Sequence, residues 1–389
     1  MKSLDINKMV YYLNPFRVLD HLSDIEQGLE DYFLFGGLGR VGLDIGTHSI
    51  KVAQVQETKQ GAQLIKLGYK EISKLLAAPS GEVNDAAIIQ SLSALWKEHN
   101  IQAKRVNLTI SDSSLYSRQI RIPKISEEQV NVAIRQQAEK YIPFSIDEAI
   151  VDYQPIQSSS AESDQMDFFI VAAKKAMIYK YLSILKEVNL APNVMDVSFF
   201  SVAKRLVGLY SKGPEHILPV IDMGAHSTTV LIFRGAQLKF VRNFELAGDH
   251  FSEAISKGLQ MEREQAERTK RNSSLYSSQE PASQSQQNIN VHLEPVLDDL
   301  IAQIHKCFAY CERDFLMENI EKIILCGGGA KLKGLDRYLS ENLGATFEIA
   351  NPLSGLVVDQ ETIKTPFIQE HASMMSAAIG AALKAPVKR

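Results

Sequence analysis

The sequence predicts an α/β protein of two related lobes, with a small α+β subdomain inserted into the first. Three observations carry this: an Asp-centred hairpin pattern that occurs twice, a strand running into three consecutive glycines and then a helix, and a separate strand-and-helix block between the two hairpins. At 389 residues the chain has room for two or three compact units, each with its own core. Its composition, 45% hydrophobic and 23% charged with a formal net charge of -4, is ordinary for a globular protein and lacks the basic excess of a nucleic-acid binder. No nucleic-acid partner is expected. The three cysteines, Cys307, Cys311 and Cys326, are odd in number and suit core thiols in a reducing cytoplasm. No apolar run approaches the roughly 20 residues that span a bilayer, so any membrane association is expected to pass through a partner.

Taken in order, residues 1–40 carry Val18, Leu22, Ile25, Leu29 and Phe33 behind an Asn14-Pro15 helix start. The spacing predicts an amphipathic helix whose acidic face suits docking on protein rather than on anionic lipid. Gly36-Gly37-Leu38-Gly39 precedes the first strand, Val41–Ile45, and so reads as a hinge rather than a dinucleotide loop. Residues 85–99 form a helix with Ile88, Leu92, Leu95 and Trp96 on one side. Residues 105–190 read as the inserted α+β block. Its strands Val106–Ile110 and Ser117–Ile122 lead to a helix capped by Ser126 and Gln129, lined by Val130, Ile134, Ala138 and Tyr141 and ended by Pro143. The Ser- and Gln-rich stretch 272–290 is expected to be a mobile loop, with helical patterning resuming at Val296, Leu300, Ile304 and Phe308.

The repeat pairs Leu43-Asp44-Ile45-Gly46-Thr47-His48-Ser49-Ile50-Lys51-Val52 with Ile221-Asp222-Met223-Gly224-Ala225-His226-Ser227-Thr228-Thr229-Val230. Each is a strand, a tight Gly-containing turn and a second strand. Backbone N–H groups in such turns approach phosphate oxygens closely, and Thr47, Ser49, Ser227 and Thr228 add hydroxyls. Asp44 and Asp222, at strand ends, would repel a phosphate but would hold hydrated Mg²⁺, while Lys51 offers a point charge. Two homologous lobes facing each other would bring the tips together on a polyphosphate. The strand Ile323–Cys326 and the turn Gly327-Gly328-Gly329 suit the flat face of adenosine, with Glu267 and Lys270, one turn apart on a helix, able to reach ribose and base.

Together the two hairpins, the Ala266-Glu267…Lys270 helix and the Gly327-Gly328-Gly329 turn resemble the actin-like (ribonuclease H-like) ATPase superfamily. The segment Gln137-Ala138-Glu139-Lys140-Tyr141-Ile142-Pro143-Phe144, followed by Val151-Asp152-Tyr153 and Val171-Ala172-Ala173-Lys174-Lys175, resembles the small subdomain shared by FtsA and the PilM family of type IV pilus assembly. The resemblance covers about residues 41–385 and leaves 1–40 outside. It implies a first lobe of 41–104 and 191–212 with a C-terminal helix in 371–385, the insertion at 105–190, and a second lobe at 213–370. It implies ATP and Mg²⁺, with Asp44 and Asp222 at the metal. Gly46, Thr47, His48, Ser49, Lys51, Gly224, Ala225, His226, Ser227 and Thr228 fall at the phosphates, and Glu267, Lys270, Gly327, Gly328 and Gly329 at adenosine. It further implies weak or no ATPase activity and a cytoplasmic location at the inner-membrane face. The partners implied are the cytoplasmic N-terminal tail of PilN and other platform proteins.

Two other functions share these motifs. A small-molecule kinase needs a general base, for which Asp196 is the best carboxylate. An FtsA-like filament former is expected to end in a membrane helix, whereas this sequence stops at Ala385-Pro386-Val387-Lys388-Arg389 after a Met375–Leu383 helix.

Overall fold

The computed structural model describes residues 39–72, 84–112, 115–156, 164–276, 284–315, 320–358 and 365–384. The expected N-terminal helix and the Gly36-Gly37 part of the hinge lie outside them. The chain divides into two units, Met1–Arg205 with Gly355–Thr365 and Ala377–Arg389, and Leu206–Ser354 with Pro366–Ser376.

The first unit opens with β1 (Arg40–Ile45), β2 (Ser49–Thr58) and β3 (Gly61–Glu71), antiparallel neighbours joined by tight turns. Helix α1 (Asp85–Glu98) starts where the Asn84 side chain accepts the Ala86 N–H at 3.0 Å and buries Ile88, Leu92 and Leu95. Strand β4 (Arg105–Ile110) then pairs parallel with β1. This strand, placed by sequence in the insertion, is therefore part of the first sheet. Its sequence alternates, Val106, Leu108 and Ile110 with Asn107 and Thr109, yet all five are buried, as in a strand covered on both faces.

The inserted layer is narrower. It consists of β5 (Tyr116–Pro123), α2 (Glu127–Glu139), β6 (Ala149–Ile156) and β7 (Gln165–Lys174), with β7 central in a three-stranded antiparallel sheet. Ser126 stands at the start of α2 but makes no side-chain cap, so the expected capping box is not formed; its carbonyl takes the Gln129 N–H at 3.0 Å instead. Val130, Ile134 and Ala138 pack on Ile120, Ile122, Phe168 and Ile170. Tyr141, expected on that face, is 40% exposed, because α2 ends at Glu139 and the chain has turned out of helical phase; the Arg118 guanidinium lies 4.1 Å above its ring. Helix α3 (Lys175–Glu187) returns to pack on α1 and on β8 (Ala191–Val197), which pairs parallel with β4. Helix α4 (Ser198–Tyr210) carries the chain into the second unit.

There the pattern repeats. Strands β9 (Ile217–Met223), β10 (Thr228–Arg234) and β11 (Gln237–Phe244) form an antiparallel meander, followed by α5 (Gly248–Leu259), α6 (Arg263–Asn272) and α7 (Gln284–Phe315). Strand β12 (Ile323–Cys326) pairs parallel with β9; after α8 (Leu335–Leu343), β13 (Phe347–Ile349) pairs parallel with β12. The strand order β11-β10-β9-β12-β13 reproduces β3-β2-β1-β4-β8 of the first unit. The duplicated hairpins thus mark duplicated sheets.

The stretch expected to be a loop at 272–290 is structured on both sides of residues 277–283, which lie outside the described residues. Ser273 is buried, the Leu275 N–H donates to Lys333 O at 2.9 Å, and the Asn290 amide donates to Leu275 O at 3.0 Å. Residues 284–290 already belong to α7. The chain then returns to the first unit with β14 (Val357–Val358), parallel to β3. It continues through α9 (Thr365–His371) to α10 (Ser376–Ala382), short of the expected Met375–Leu383 because a 3-10 turn occupies Ala372–Met375. The carbonyl end of α10 is held by the Asn107 amide, at 2.8 Å from Ala381 O, and by Arg40 Nε, at 3.1 Å from Ala382 O.

Candidate functional site

Each hairpin turn closes with the same bond. The Gly46 N–H donates to Ser49 O at 3.1 Å and the Gly224 N–H to Ser227 O at 2.9 Å. Each tip is also tied down from outside: the Ile72 N–H reaches His48 O at 2.9 Å, and the Asp249 N–H reaches Ala225 O at 2.7 Å. Thr47 and His226 are the exposed tip residues, with His48, Ala225 and Ser227 half-buried.

The two Asp positions differ. Asp44, 5% exposed, lies in register with Lys51, whose Nζ donates to Asp44 Oδ2 at 3.0 Å. Thr229 holds the corresponding place opposite Asp222, which is half-buried. On its other side Asp222 is in register with Cys326. Burial and the Asp222 carboxylate push the Cys326 thiol well up, so the S–H is retained beside it. Two expected hydroxyl donors are drawn into the structure: Ser49 is 4% exposed, and the fully buried Thr228 gives its O–H to Leu246 O at 2.6 Å. Thr228 thus braces its turn from behind, because a hydroxyl has only one proton to give.

In the second unit the pieces picked out by sequence meet. Gly327 has φ +88° and a Cβ there would lie 2.2 Å from Met223 O; one on Gly329 would lie 2.9 Å from Gly224 O. These two glycines are thus required by close packing of the strand-to-helix turn on the hairpin turn, which leaves Gly328, with only Met374 at 3.4 Å, as the one that packing does not demand. The first residue of α5, Gly248, donates its N–H to Gly224 O at 3.2 Å. Its own carbonyl accepts from Lys270 Nζ at 2.8 Å, and Lys270 also donates to Ser252 Oγ at 2.9 Å and Glu267 Oε2 at 2.6 Å. Burial would raise the Glu267 carboxyl, but Lys270, Ser252 and Arg271 together bring it down to about 2. Burial in turn pulls the Lys270 ammonium down, opposed by Glu267. The Glu267 carboxyl is therefore ionised at neutral pH. Ser252 was not picked out by sequence, and a lone serine inside a helix gave no signal.

Asp196, the kinase-base candidate, is 2% exposed, accepts the Val197 N–H at 2.9 Å and the Ser201 hydroxyl at 3.2 Å, and is ion-paired with the buried Lys384. Every part of it is engaged. Cys307 and Cys311 lie in the apolar core of the second unit, where burial pushes the Cys307 thiol up to about 11. Among the described residues no helix is long and apolar enough to cross a membrane.

Duplicated sheets carrying Asp-centred hairpins, with an α+β layer inserted in the first unit, define an actin-like ATPase fold. The family model for type IV pilus assembly protein PilM matches residues 42–386, and the chain belongs to that family. A solved PilM-PilN type IV pilus biogenesis complex aligns with a TM-score of 0.77 at 27% identity, covering 88% of this chain and 97% of that one. The cell division protein FtsA of Streptococcus pneumoniae is 25% identical over 351 residues, covering 80% of this chain and 75% of that one.

Proposed function

We propose that this protein binds ATP with Mg²⁺ and works as a nucleotide-regulated scaffold at the cytoplasmic face of the pilus inner-membrane platform. The observation that carries the nucleotide reading is the convergence, inside the second unit, of the Gly224–Ser227 turn, the start of α5 and the Gly327–Gly329 turn. A tight turn of Gly224, Ala225, His226 and Ser227, open to solvent at His226 and backed by rigid packing, is what a phosphate cradle needs. The first hairpin, with the same turn and an adjacent lysine, is a second phosphate-binding element. Asp44 and Asp222 offer the hard oxygen donors that suit Mg²⁺. Asp222, half-buried, is the more accessible of the two, since Asp44 is 5% exposed and takes the Lys51 ammonium at 3.0 Å.

Nucleotide state would set which surface a partner meets. Hydrolysis is expected to be weak or absent. The partner we assign is the cytoplasmic N-terminal tail of PilN, on the strength of the similarity to a PilM-PilN complex, with the inserted layer as its receptor. Attachment to the membrane would pass through that tail and other platform proteins. The metabolic-kinase reading is disfavoured by the engagement of Asp196 with Lys384.

Calorimetry on nucleotide-stripped protein tests the central claim. Binding heat for ATP that depends on Mg²⁺ is expected, and its absence would sink the reading.

A further inference from the structure

The segment that leaves α6 is tied to the start of α8. Ser273, 5% exposed, closes the helix: its N–H donates to Thr269 O at 3.0 Å and its hydroxyl to the same oxygen at 2.7 Å. Ser274 then forms a parallel bridge with Lys333, whose carbonyl takes the Leu275 N–H at 2.9 Å and the Ser274 hydroxyl at 3.4 Å. Lys333 lies between the 3-10 turn Gly329–Lys331 and the first residue of α8. Tyr276 completes the join from outside. Its hydroxyl donates to Glu341 Oε2 on α8, and the Arg337 guanidinium lies 4.0 Å from the centre of its ring while giving Nε–H to Glu341 Oε1 at 2.8 Å. Gly334 makes room for the ring: it has φ +84°, and a Cβ there would lie 2.7 Å from Tyr276 Cδ2.

We propose that Tyr276 is a positioning residue for the nucleoside half of the site, setting the gap between α6 and the Gly327–Gly329 turn while leaving the phosphate turn alone; this rests on the nucleotide reading above. Glu267 and Lys270 lie on α6 and the three glycines lie ahead of α8, so the two groups expected at adenosine stand on the two elements that Tyr276 joins. The join needs the tyrosine. Both bonds to Lys333 end on one carbonyl oxygen, so without Tyr276 the segment can pivot about that atom and carry the end of α6 with it. Binding groups work only within about 0.5 Å of their proper place. The Gly224–Ser227 turn is held by other bonds: its own at 2.9 Å, and those from the Gly248 and Asp249 N–H groups of α5 at 3.2 and 2.7 Å. Folding does not depend on Tyr276 either, because Leu275 packs on the core of the second unit and the Asn290 amide holds its carbonyl at 3.0 Å. Tyr276 itself is only half-buried.

A ligand with phosphates and no nucleoside separates the two halves. Mg-ATP and Mg-tripolyphosphate are titrated calorimetrically into the full chain as wild type, Tyr276→Ala and Tyr276→Phe, with a thermal melt to report folding. Tyr276→Ala should weaken ATP by about tenfold or more while tripolyphosphate changes by less than about twofold. Tyr276→Phe, which keeps the ring against Gly334 and Arg337 and loses only the hydroxyl, should fall between wild type and Tyr276→Ala for ATP. An equal loss for both ligands in folded Tyr276→Ala overturns the inference, because the staple would then serve the unit as a whole; unchanged ATP binding overturns it as well. So does a wild type that binds ATP no more tightly than tripolyphosphate, which would leave no nucleoside contact to position. A wild type that takes ATP but not tripolyphosphate overturns it too, since the phosphate turn would have no hold of its own. Should Tyr276→Ala fail to fold, Glu341→Ala carries the test at an exposed position, freeing the hydroxyl and Arg337 together, with the same selective loss expected. A wild type that binds neither ligand removes the nucleotide reading itself, an outcome distinct from the others.

Discussion

Three carboxylates are placed in three different circumstances, and each yields its own expectation. Asp222 is half-buried beside a retained thiol, with no lysine opposite it in register. Asp222→Ala should weaken Mg-dependent ATP binding by about tenfold or more, roughly 1.4 kcal/mol or above, while the melting temperature stays near that of wild type; calorimetry and a thermal melt check both. Glu267 is held at about 2 against an ordinary value of 4.5. A carboxyl depressed on folding contributes stability above its unfolded value and loses it as pH falls through the folded one. Acid unfolding should therefore steepen between pH 4.5 and 2, and Glu267→Gln should flatten that limb of a urea-midpoint profile. Asp196 is the ion-pair partner of Lys384, whose amine burial pulls down to about 7. Removing one partner of a buried pair costs about 3–5 kcal/mol, so Asp196→Ala should cut unfolding stability by that order in urea. A variant as stable as wild type would reopen the general-base reading.

At the scale of elements, α7 shows most clearly what composition conceals. Ile289, Leu293, Leu297, Leu300, Ile304, Cys307 and Cys311 form one buried stripe spaced by three or four residues along its 32-residue length. Leu293 is fully buried, so Leu293→Ala should destabilise by about 2–5 kcal/mol, read from the urea midpoint. A loss below 0.5 kcal/mol would mean that the first turns of α7 do not pack. The stripe was present in the sequence upstream of Val296. The Ser and Gln content and Pro295, which lies inside the helix, masked it, since proline ordinarily stops a helix rather than riding in one. The hairpins were legible for the opposite reason: a short turn fixes its own neighbours, so Asp44 to Lys51 and Asp222 to Thr229 face each other by local rules alone. The assignment of Val106–Ile110 to the first sheet was not legible, because parallel pairing with β1 joins residues 65 apart, as Gly42 with Asn107, and leaves no local mark. The same holds for Ser252 and Gly248, whose roles exist only through α6 and the hairpin tip.

For the whole molecule, the similarity to a PilM-PilN complex raises the question of where a PilN tail would bind, and the answer we favour is the inserted layer. Both β5 and β6 are edges of a three-stranded sheet, and edge strands take an extended peptide by backbone pairing with alternate side chains in pockets. Each edge carries one proline, Pro155 within β6 and Pro123 at the very end of β5, so the longer uninterrupted run of N–H groups, Tyr116 to Ile122, favours β5 as the receiving edge. Beside β5 stands Tyr141, 40% exposed under Arg118, while Ile142 is buried with Ala149 and Ala172 and Phe144 packs partly on them. Of the Tyr141-Ile142-Pro143-Phe144 segment, Ile142 and Phe144 thus serve the insertion's own core, and Tyr141 is the aromatic left to meet a partner. Binding of a synthetic PilN N-terminal peptide, followed by fluorescence anisotropy, should survive Asp222→Ala because that residue lies in the other unit. Tyr141→Ser combined with Ser145→Glu should weaken it by tenfold or more, with the melting temperature little changed since both positions are exposed. If that folded double variant binds the peptide as wild type does, the receptor is elsewhere, and deletion of residues 1–40 becomes the deciding measurement.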